Sequence, residues 1–233
     1  INIKFDDLPL WFKSKTDSLT IASKKLFLNN FYKEPSLHIV FKNKEKLKNF
    51  DEKLIETTES SGFLVNKKNI TTIKSFSKGD WWVQDFSSSL PISLLGKIKG
   101  KSVLDLCAAP GGKTMQLCSL GANVTSVDFS KKRLDKLKDN LSRTNLKAKI
   151  INENILSLKM KKEFDIVVVD APCSSSGTLR KNVDLPYLDF NNHFLSLLEI
   201  QKKILFKSID WVKKGGTLIY CTCSLFPEEG EDV

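Results

Sequence analysis

No stretch of this 233-residue chain approaches the roughly 20 consecutive apolar residues that a membrane-spanning helix needs. Its start, Ile1 to Trp11, also lacks the basic and apolar regions of a secretory signal, so the expected location is cytoplasmic. The five cysteines, at 107, 118, 173, 221 and 223, form no Cys-x-x-Cys pair, and the two histidines, His38 and His193, stand far from them in sequence. That spacing argues against a zinc site, and the odd count argues against a disulfide framework. Neither a G-x-G-x-x-G nor a G-x-x-x-x-G-K segment occurs, which excludes the common dinucleotide and P-loop fingerprints. Arginine is scarce too: only Arg133, Arg143 and Arg180 accompany the lysines.

What the chain does have is charge of one sign. Its 37 basic and 27 acidic residues leave a net +10, and a basic surface gains affinity for a polyanion by releasing counterions from phosphates. Genomic base composition can also produce a lysine bias, so the charge needs a site to support it.

The spacing predicts a helix near 16–31 opened by Thr16-Asp17, a strand at 37–41, a charged helix around 44–60 and short strands near 63–65 and 69–75. Residues 1–78 then form a small, lysine-rich α/β lobe, with a boundary at Lys78-Gly79-Asp80 and a second domain over 79–233. From about residue 100, strands alternate with helices: strands at Val103–Cys107, Asn123–Asp128, Ile150–Ile151, Phe164–Asp170 and Thr217–Thr222, and helices at 112–120, 130–143 and near 190–213. Such alternation, with near-continuous apolar strands, predicts an α/β fold with a doubly wound, mostly parallel sheet, whose ligands bind beyond the carboxyl ends of the strands.

Three motifs fall at those ends. In Asp105-Leu-Cys-Ala-Ala-Pro-Gly-Gly-Lys-Thr114, an acid-bearing strand runs into a glycine turn that lets a ligand approach the backbone, and a helix begins. Asp128 ends the next strand, where an acid can hold the ribose hydroxyls of an adenosine cofactor. Asp170-Ala-Pro-Cys-Ser-Ser-Ser-Gly-Thr-Leu-Arg180 carries an acid and a thiol three residues apart, and Tyr220-Cys-Thr-Cys-Ser224 carries two more thiols, at 221 and 223, on one side of a strand. A glycine turn alone could serve only strand–helix packing, and a buried structural thiol is the ordinary role of a cysteine, accepted here for Cys118.

Two thiols at neighbouring strand ends beside a cofactor turn suit one reaction in particular. Carbon 5 of a pyrimidine is a poor nucleophile; a thiolate adding to carbon 6 makes an enamine whose carbon 5 can accept a methyl group. Loss of the carbon 5 proton then expels the thiol. An unperturbed cysteine, with a pKa of about 8.5, needs nearby positive charge or a helix N-terminus to act this way.

Together the three motifs resemble those of the RsmB/Sun-type RNA (cytosine-5)-methyltransferases, a likeness running from about Leu8-Pro-Leu-Trp11 to the end and including Val83-Gln84-Asp85. The resemblance implies a class I methyltransferase fold preceded by an RNA-recognition-like lobe. It also implies S-adenosylmethionine as cofactor and RNA, ribosomal in particular, as partner. It assigns Cys223 as nucleophile and Cys173 as the thiol that helps release product; spacing alone ranks neither. It further implies that Asp170 hydrogen-bonds an extruded cytosine and that Lys113 lines the active site. The cofactor-binding set it implies is Cys107, Ala108, Ala109, Pro110, Gly111, Gly112, Lys113, Asp128, Arg133, Asn154 and Asp170.

The chain departs from the family pattern at Asn154, where Asp is usual near the adenine, at Val183, where Arg180-Lys-Asn-Val-Asp184 replaces Arg-Arg-Asn-Pro-Asp, and at Gly230, where Asn is usual. The two last strands of the family's sheet are absent, and the sequence neither begins with Met nor runs past Val233. A C-terminally incomplete fragment, marginally stable on its own, is therefore expected, as is a monomer. The rival readings are a catalytically silent RNA-binding ribosome-assembly factor and a nicotinamide oxidoreductase. The latter would require the missing glycine fingerprint.

Overall fold

The computed structural model describes residues 4–17, 19–31, 33–66, 69–161, 163–188 and 191–233. In chain order its elements are α1 (Leu10–Lys15), α2 (Ile21–Phe31), β1 (His38–Phe41), α3 (Lys44–Lys48), β2 (Leu54–Thr58), β3 (Ser61–Leu64), α4 (Lys74–Ser77), β4 (Trp81–Val83) and α5 (Phe86–Ser93). There follow β5 (Ser102–Leu106), α6 (Gly112–Ser119), β6 (Asn123–Asp128), α7 (Lys131–Thr144), β7 (Lys149–Asn152), β8 (Phe164–Asp170), α8 (Asn191–Ile209) and β9 (Val212–Cys221). The chain forms two compact units: residues 1–35, 172–203 and 222–233 make one, residues 36–171 and 204–221 the other.

The larger unit holds both sheets. One is parallel, in the order β7-β6-β5-β8-β9, so the strand order reverses between β5 and β8, the switch point at which such sheets bind ligands. Alternation along the strands feeds two faces: Leu104, Leu106, Val167 and Val169 pack with Ile204 and Trp211, while Val103, Ile166 and Val168 pack with Ile92 of α5 and Leu117 of α6. With both faces covered, near-continuous apolar strands are what the sheet requires.

The other sheet is antiparallel, in the order β2-β3-β1-β4. It is buried on both sides: Ile39, Phe41 and Trp81 fill its own core, and Val40 and Trp82 pack with Met115, Leu134, Leu137 and Leu141 of α6 and α7. Polar bonds fix that docking. Gln84 takes a bond from Trp82 Nε1 at 2.8 Å and donates to Gln116 of α6 at 3.0 Å. Arg143 of α7 donates to the carbonyls of Phe76 and Trp81 at 2.9 and 3.0 Å while stacking on Phe76.

This arrangement moves several sequence expectations. The division at 78/79 does not coincide with the compact units, because β4 completes the antiparallel sheet from beyond it. Gly79 is no linker: at φ +69°, a Cβ there would lie 1.8 Å from the Arg143 carbonyl oxygen. The charged helix expected over 44–60 is helical only at Lys44–Lys48. Asn49 caps it, Phe50 turns its ring onto Phe41 at 5.0 Å, and Leu54–Thr58 pairs with β3. Hairpin pairing with the adjacent β3 has overridden a lysine- and glutamate-rich local preference. The strand expected at 69–75 is instead a 3-10 turn, Ile70–Thr72, capped by the Asn69 side chain, followed by α4. The helix expected over 16–31 is broken, and Thr16 ends α1, its hydroxyl bonded to the Phe12 carbonyl at 2.8 Å, rather than opening α2; Ser18 lies outside the described residues. The last strand starts earlier than expected, at Val212, and stops at Cys221.

The smaller unit is built around Leu8, Phe12, Phe31, Leu179, Leu185, Phe194 and Phe226. Arg180 ties its middle segment to its first, donating to the carbonyls of Lys33 and Glu34 at 3.1 Å each. No helix among the described residues is long and apolar enough to cross a membrane.

Candidate active site

In the larger unit the glycine turn follows β5 directly. Cys107 takes a left-handed φ of 58°, the Ala109–Pro110 peptide is cis, and Gly111 at φ +108° is the residue from which α6 starts at Gly112. A Cβ on Gly111 would press to 3.0 Å on Leu137 of α7, so glycine lets the turn close on that helix. Asn140 of α7 adds a bond to the Pro110 carbonyl at 3.1 Å.

Asp128 ends β6 fully buried and is held on every side. Ala109 N–H donates to it at 3.2 Å, Ser130 N–H at 2.9 Å, and Arg133 at 2.9 and 2.8 Å to its two oxygens. Arg133 is half exposed and lies over the exposed ring of Phe129. The expected cofactor residues from 107 to 113, Asp128 and Arg133 are thus gathered at the carboxyl ends of β5 and β6. Asn154 is exposed, with its Oδ1 accepting from Leu156 N–H at 2.9 Å as a local turn cap.

Lys113 is buried in the first turn of α6 with its ammonium 2.9 Å from Asp170 at the end of β8 and 3.0 Å from Ser88. Burial opposes its charge, but Asp170 outweighs that and holds the ammonium above its ordinary pKa. Asp105, within β5, is wholly buried; burial pushes its carboxyl up to about 7 against a 2.5 Å bond from Thr114. Its Oδ1 has no hydrogen-bond partner among the described residues, an orphaned acceptor beside the turn that suits a ligand carrying a donor or a positive charge. A cofactor with an ammonium and a ribose fits this set: an orphaned carboxylate oxygen, a backbone turn without side chains, and a strand-end acid.

In the smaller unit the Sγ atoms of Cys173 and Cys223 are 3.3 Å apart. Cys223 is exposed and Cys173 partly buried. The hydrogen bond to Cys223, then burial, raises the Cys173 pKa, so Cys173 keeps its proton near pH 7, and either sulfur can donate in the pair. The other three thiols are of a different kind. Burial pushes Cys107 and Cys118 up to about 12 and Cys221 up to about 11, leaving them neutral near pH 7. The expectation that 221 and 223 share a strand face is corrected: β9 ends at Cys221, paired with Asp170, and Cys223 lies in a bend beyond it.

Sequence reasoning missed several supporting residues. Asn152 at the end of β7 donates to the carbonyls of Asp128 and Phe129 at 3.0 and 2.9 Å. Ser88 partners Lys113, and Glu229 sits buried against Ser174. Only Glu229 had a signal, standing beside the Gly230 departure, and the sequence assigns it no role.

A family model for the 16S rRNA methyltransferases RsmB/F matches residues 92–233, which include every thiol and acid just described. The chain belongs to this family. It is 38% identical over 174 residues to the ribosomal RNA small subunit methyltransferase B of Shewanella oneidensis, covering 72% of this chain and 41% of that protein. The corresponding protein of Proteus mirabilis is 37% identical over 166 residues, 69% of this chain and 39% of its own. The chain therefore spans about two fifths of the length of these relatives. Among solved structures, PH0851 matches with a TM-score of 0.86 at 26% identity, over 97% of this chain and 55% of that one. A methyltransferase homologue from Pyrococcus horikoshii matches with a TM-score of 0.75 at 25% identity, over 97% of this chain and 81% of that one. The RsmB/F membership accords with the class I methyltransferase fold that the resemblance implied.

Proposed function

We propose that this RsmB/F chain transfers a methyl group from S-adenosylmethionine to carbon 5 of a cytosine in RNA, ribosomal RNA by its relatives' names, through a covalent cysteine–cytosine intermediate. The observation that carries the proposal is the pair of thiols 3.3 Å apart, one exposed and one holding its proton. A lone thiol could add to a pyrimidine, but a second one beside it suits a reaction that must also undo the addition.

Cys223, the exposed member, adds to carbon 6 as a thiolate, and Cys173 donates its S–H to that sulfur. The added electron pair makes carbon 5 nucleophilic. The cofactor supplies an electrophilic methyl on its sulfonium; the turn at 107–112, Asp105, Asp128 and Arg133 would hold it. Asp170 accepts a hydrogen bond from the cytosine amino group, and the Lys113 ammonium at 2.9 Å orients it for that purpose. Loss of the carbon 5 proton to solvent base then restores the ring double bond and expels Cys223 as a thiolate, and the Cys173 S–H helps by hydrogen-bonding to that leaving sulfur. The lysine-rich surface supplies phosphate contacts, with the segment 1–78 contributing, and the enzyme acts as a cytoplasmic monomer.

The test is a set of serine variants of the purified protein incubated with RNA and S-adenosylmethionine and resolved by denaturing electrophoresis. Cys173→Ser should methylate and stall as a protein–RNA adduct, Cys223→Ser should give neither adduct nor methylation, and Cys221→Ser should retain substantial activity. An adduct with Cys223→Ser would reverse the roles. None with any variant, alongside normal RNA binding, would favour a catalytically silent assembly factor.

A further inference from the structure

The segment from Ala171 to Ser175 that carries Cys173 has no regular secondary structure, so no helix or ladder fixes the thiol. Its two flanking peptide groups are nevertheless held. Gln201 Nε2, from α8, donates to the Pro172 carbonyl at 2.8 Å, and Ser174 N–H donates to Glu229 Oε1 at 2.8 Å. The two holders are themselves joined, Gln201 Nε2 donating to Glu229 Oε1 at 2.9 Å, and the Ser174 hydroxyl donates to Glu229 Oε2. Both Gln201 and Glu229 are completely buried.

Burying a carboxylate is costly unless donors replace its water, and here they are spent on the residue next to Cys173 and on the glutamine that grips the residue before it. The Gln201 amide is oriented by the same demand. Its NH2 faces two groups that can only accept, which leaves Oε1 buried without a partner among the described residues. An unsatisfied amide oxygen is tolerated because turning it round would break both bonds.

The lock extends to the other thiol through hydroxyls. Ser174 Oγ lies 3.2 Å from Ser176 Oγ and from Ser224 Oγ, and those two lie 3.0 Å apart. Ser176 Oγ accepts from Leu225 N–H at 2.8 Å, Ser224 Oγ from Phe226 N–H at 3.0 Å, and Gly177 N–H donates to the Cys223 carbonyl at 2.8 Å. One buried carboxylate therefore sets the register of both thiol-bearing loops. We infer that Glu229, with Gln201 as its partner, is the positioning residue that aims Cys173 at Cys223 for the elimination step, an assignment that rests on the role proposed above for Cys173.

The test compares Glu229→Ala, Glu229→Gln and Gln201→Met with Cys173→Ser, scoring single-turnover methyl transfer, multiple turnover and adduct, and the alkylation rate of Cys173 by iodoacetamide with Cys118 as internal standard. Glu229→Ala should retain methyl transfer in the first turnover, lose about tenfold or more in multiple turnover for a misplacement approaching 1 Å, and accumulate adduct. Glu229→Gln should recover part of the turnover, and Cys173 alkylation should change in every variant while that of Cys118 does not. Glu229→Gln and Gln201→Met, both nearly isosteric, carry the test if Glu229→Ala does not fold. Folded Glu229 and Gln201 variants with no adduct and unchanged Cys173 alkylation, beside an adduct-forming Cys173→Ser, overturn the inference alone. If Cys173→Ser forms no adduct, the covalent reading fails; a Cys173 alkylation rate altered in the Glu229 variants would then still support the positioning, and an unaltered one would overturn it.

Discussion

Replacing Gly177 with alanine should damage methyl transfer far more than it damages the fold. Gly177 begins no strand and bears no chemistry, yet a Cβ on it would stand 2.6 Å from the carbonyl oxygen of Cys223, where about 3.4 Å is the closest ordinary contact. The obstacle is backbone, so no rotamer change relieves it; the Cys223 segment must retreat by ~0.8 Å, the difference between those two distances. The same retreat stretches the 2.8 Å bond from Gly177 N–H to that carbonyl beyond hydrogen-bond range. Overpacking and the lost bond together cost roughly 2–4 kcal/mol of stability, which leaves most small domains folded. A nucleophile displaced by nearly 1 Å loses on the order of 10²-fold in rate. Denaturant melts give the first quantity and single-turnover methyl incorporation at saturating RNA gives the second. A Gly177→Ala protein that transfers methyl at the wild-type single-turnover rate, with a melt showing the substitution in place, would mean that Cys223 is not the attacking group or that its position is not set by this contact.

Two further outcomes follow from the buried acids of the larger unit. Asp128→Ala strands the N–H groups of Ala109 and Ser130 and the Arg133 guanidinium, and should weaken S-adenosylmethionine binding by roughly 1–3 kcal/mol in calorimetry; unchanged affinity would remove Asp128 from the cofactor site. Asp105 has a folded pKa of about 7 against an ordinary 3.8, so the native state binds the extra proton between those values and stability falls as pH rises from about 4 to 7, by up to about 4 kcal/mol, then levels off. Asp105→Asn, which can still accept from Thr114, should flatten that slope in melts from pH 5 to 8; parallel curves for the two proteins would show that Asp105 is ionised throughout.

The parallel sheet was legible because burial on both faces writes itself into the strands: Phe164–Asp170 and Asn123–Asp128 hold the bounds expected of them. The helix expected over 130–143 stands at Lys131–Thr144, one residue later, because the Ser130 hydroxyl accepts from Arg133 N–H and caps it. The antiparallel sheet was not legible. Its first strand in spatial order lies in a run of lysines and glutamates whose local preference is helical, and the hairpin it makes with β3 across Glu59-Ser60 decides for a strand. Thr16 shows the same limit on a smaller scale: a threonine at a helix boundary reads as an opening cap, but its hydroxyl returns to the Phe12 carbonyl and closes the preceding helix.

The site was legible as chemistry and illegible as environment. Five thiols are equal in a sequence; what separates them is the field each one meets. Cys107 stands near Asp105, Asp128 and Asp170 and is buried among them, so burial and three acids together push its thiol up to about 12 beside the cofactor turn. Cys221 is paired in the sheet with Asp170, and Lys113 lowers its pKa less than burial raises it. Those acids come from three different strands, and no spacing rule brings them to one end of the sheet before the strand order is known. Cys173 and Cys223, fifty residues apart, meet because a glutamate at 229 holds the neighbour of one and serine hydroxyls pass that hold to the neighbour of the other. The close approach of the two thiols is therefore specified by buried polar groups that carry no thiol chemistry, and substitutions at Glu229 or Ser174 should separate the two thiols without touching either.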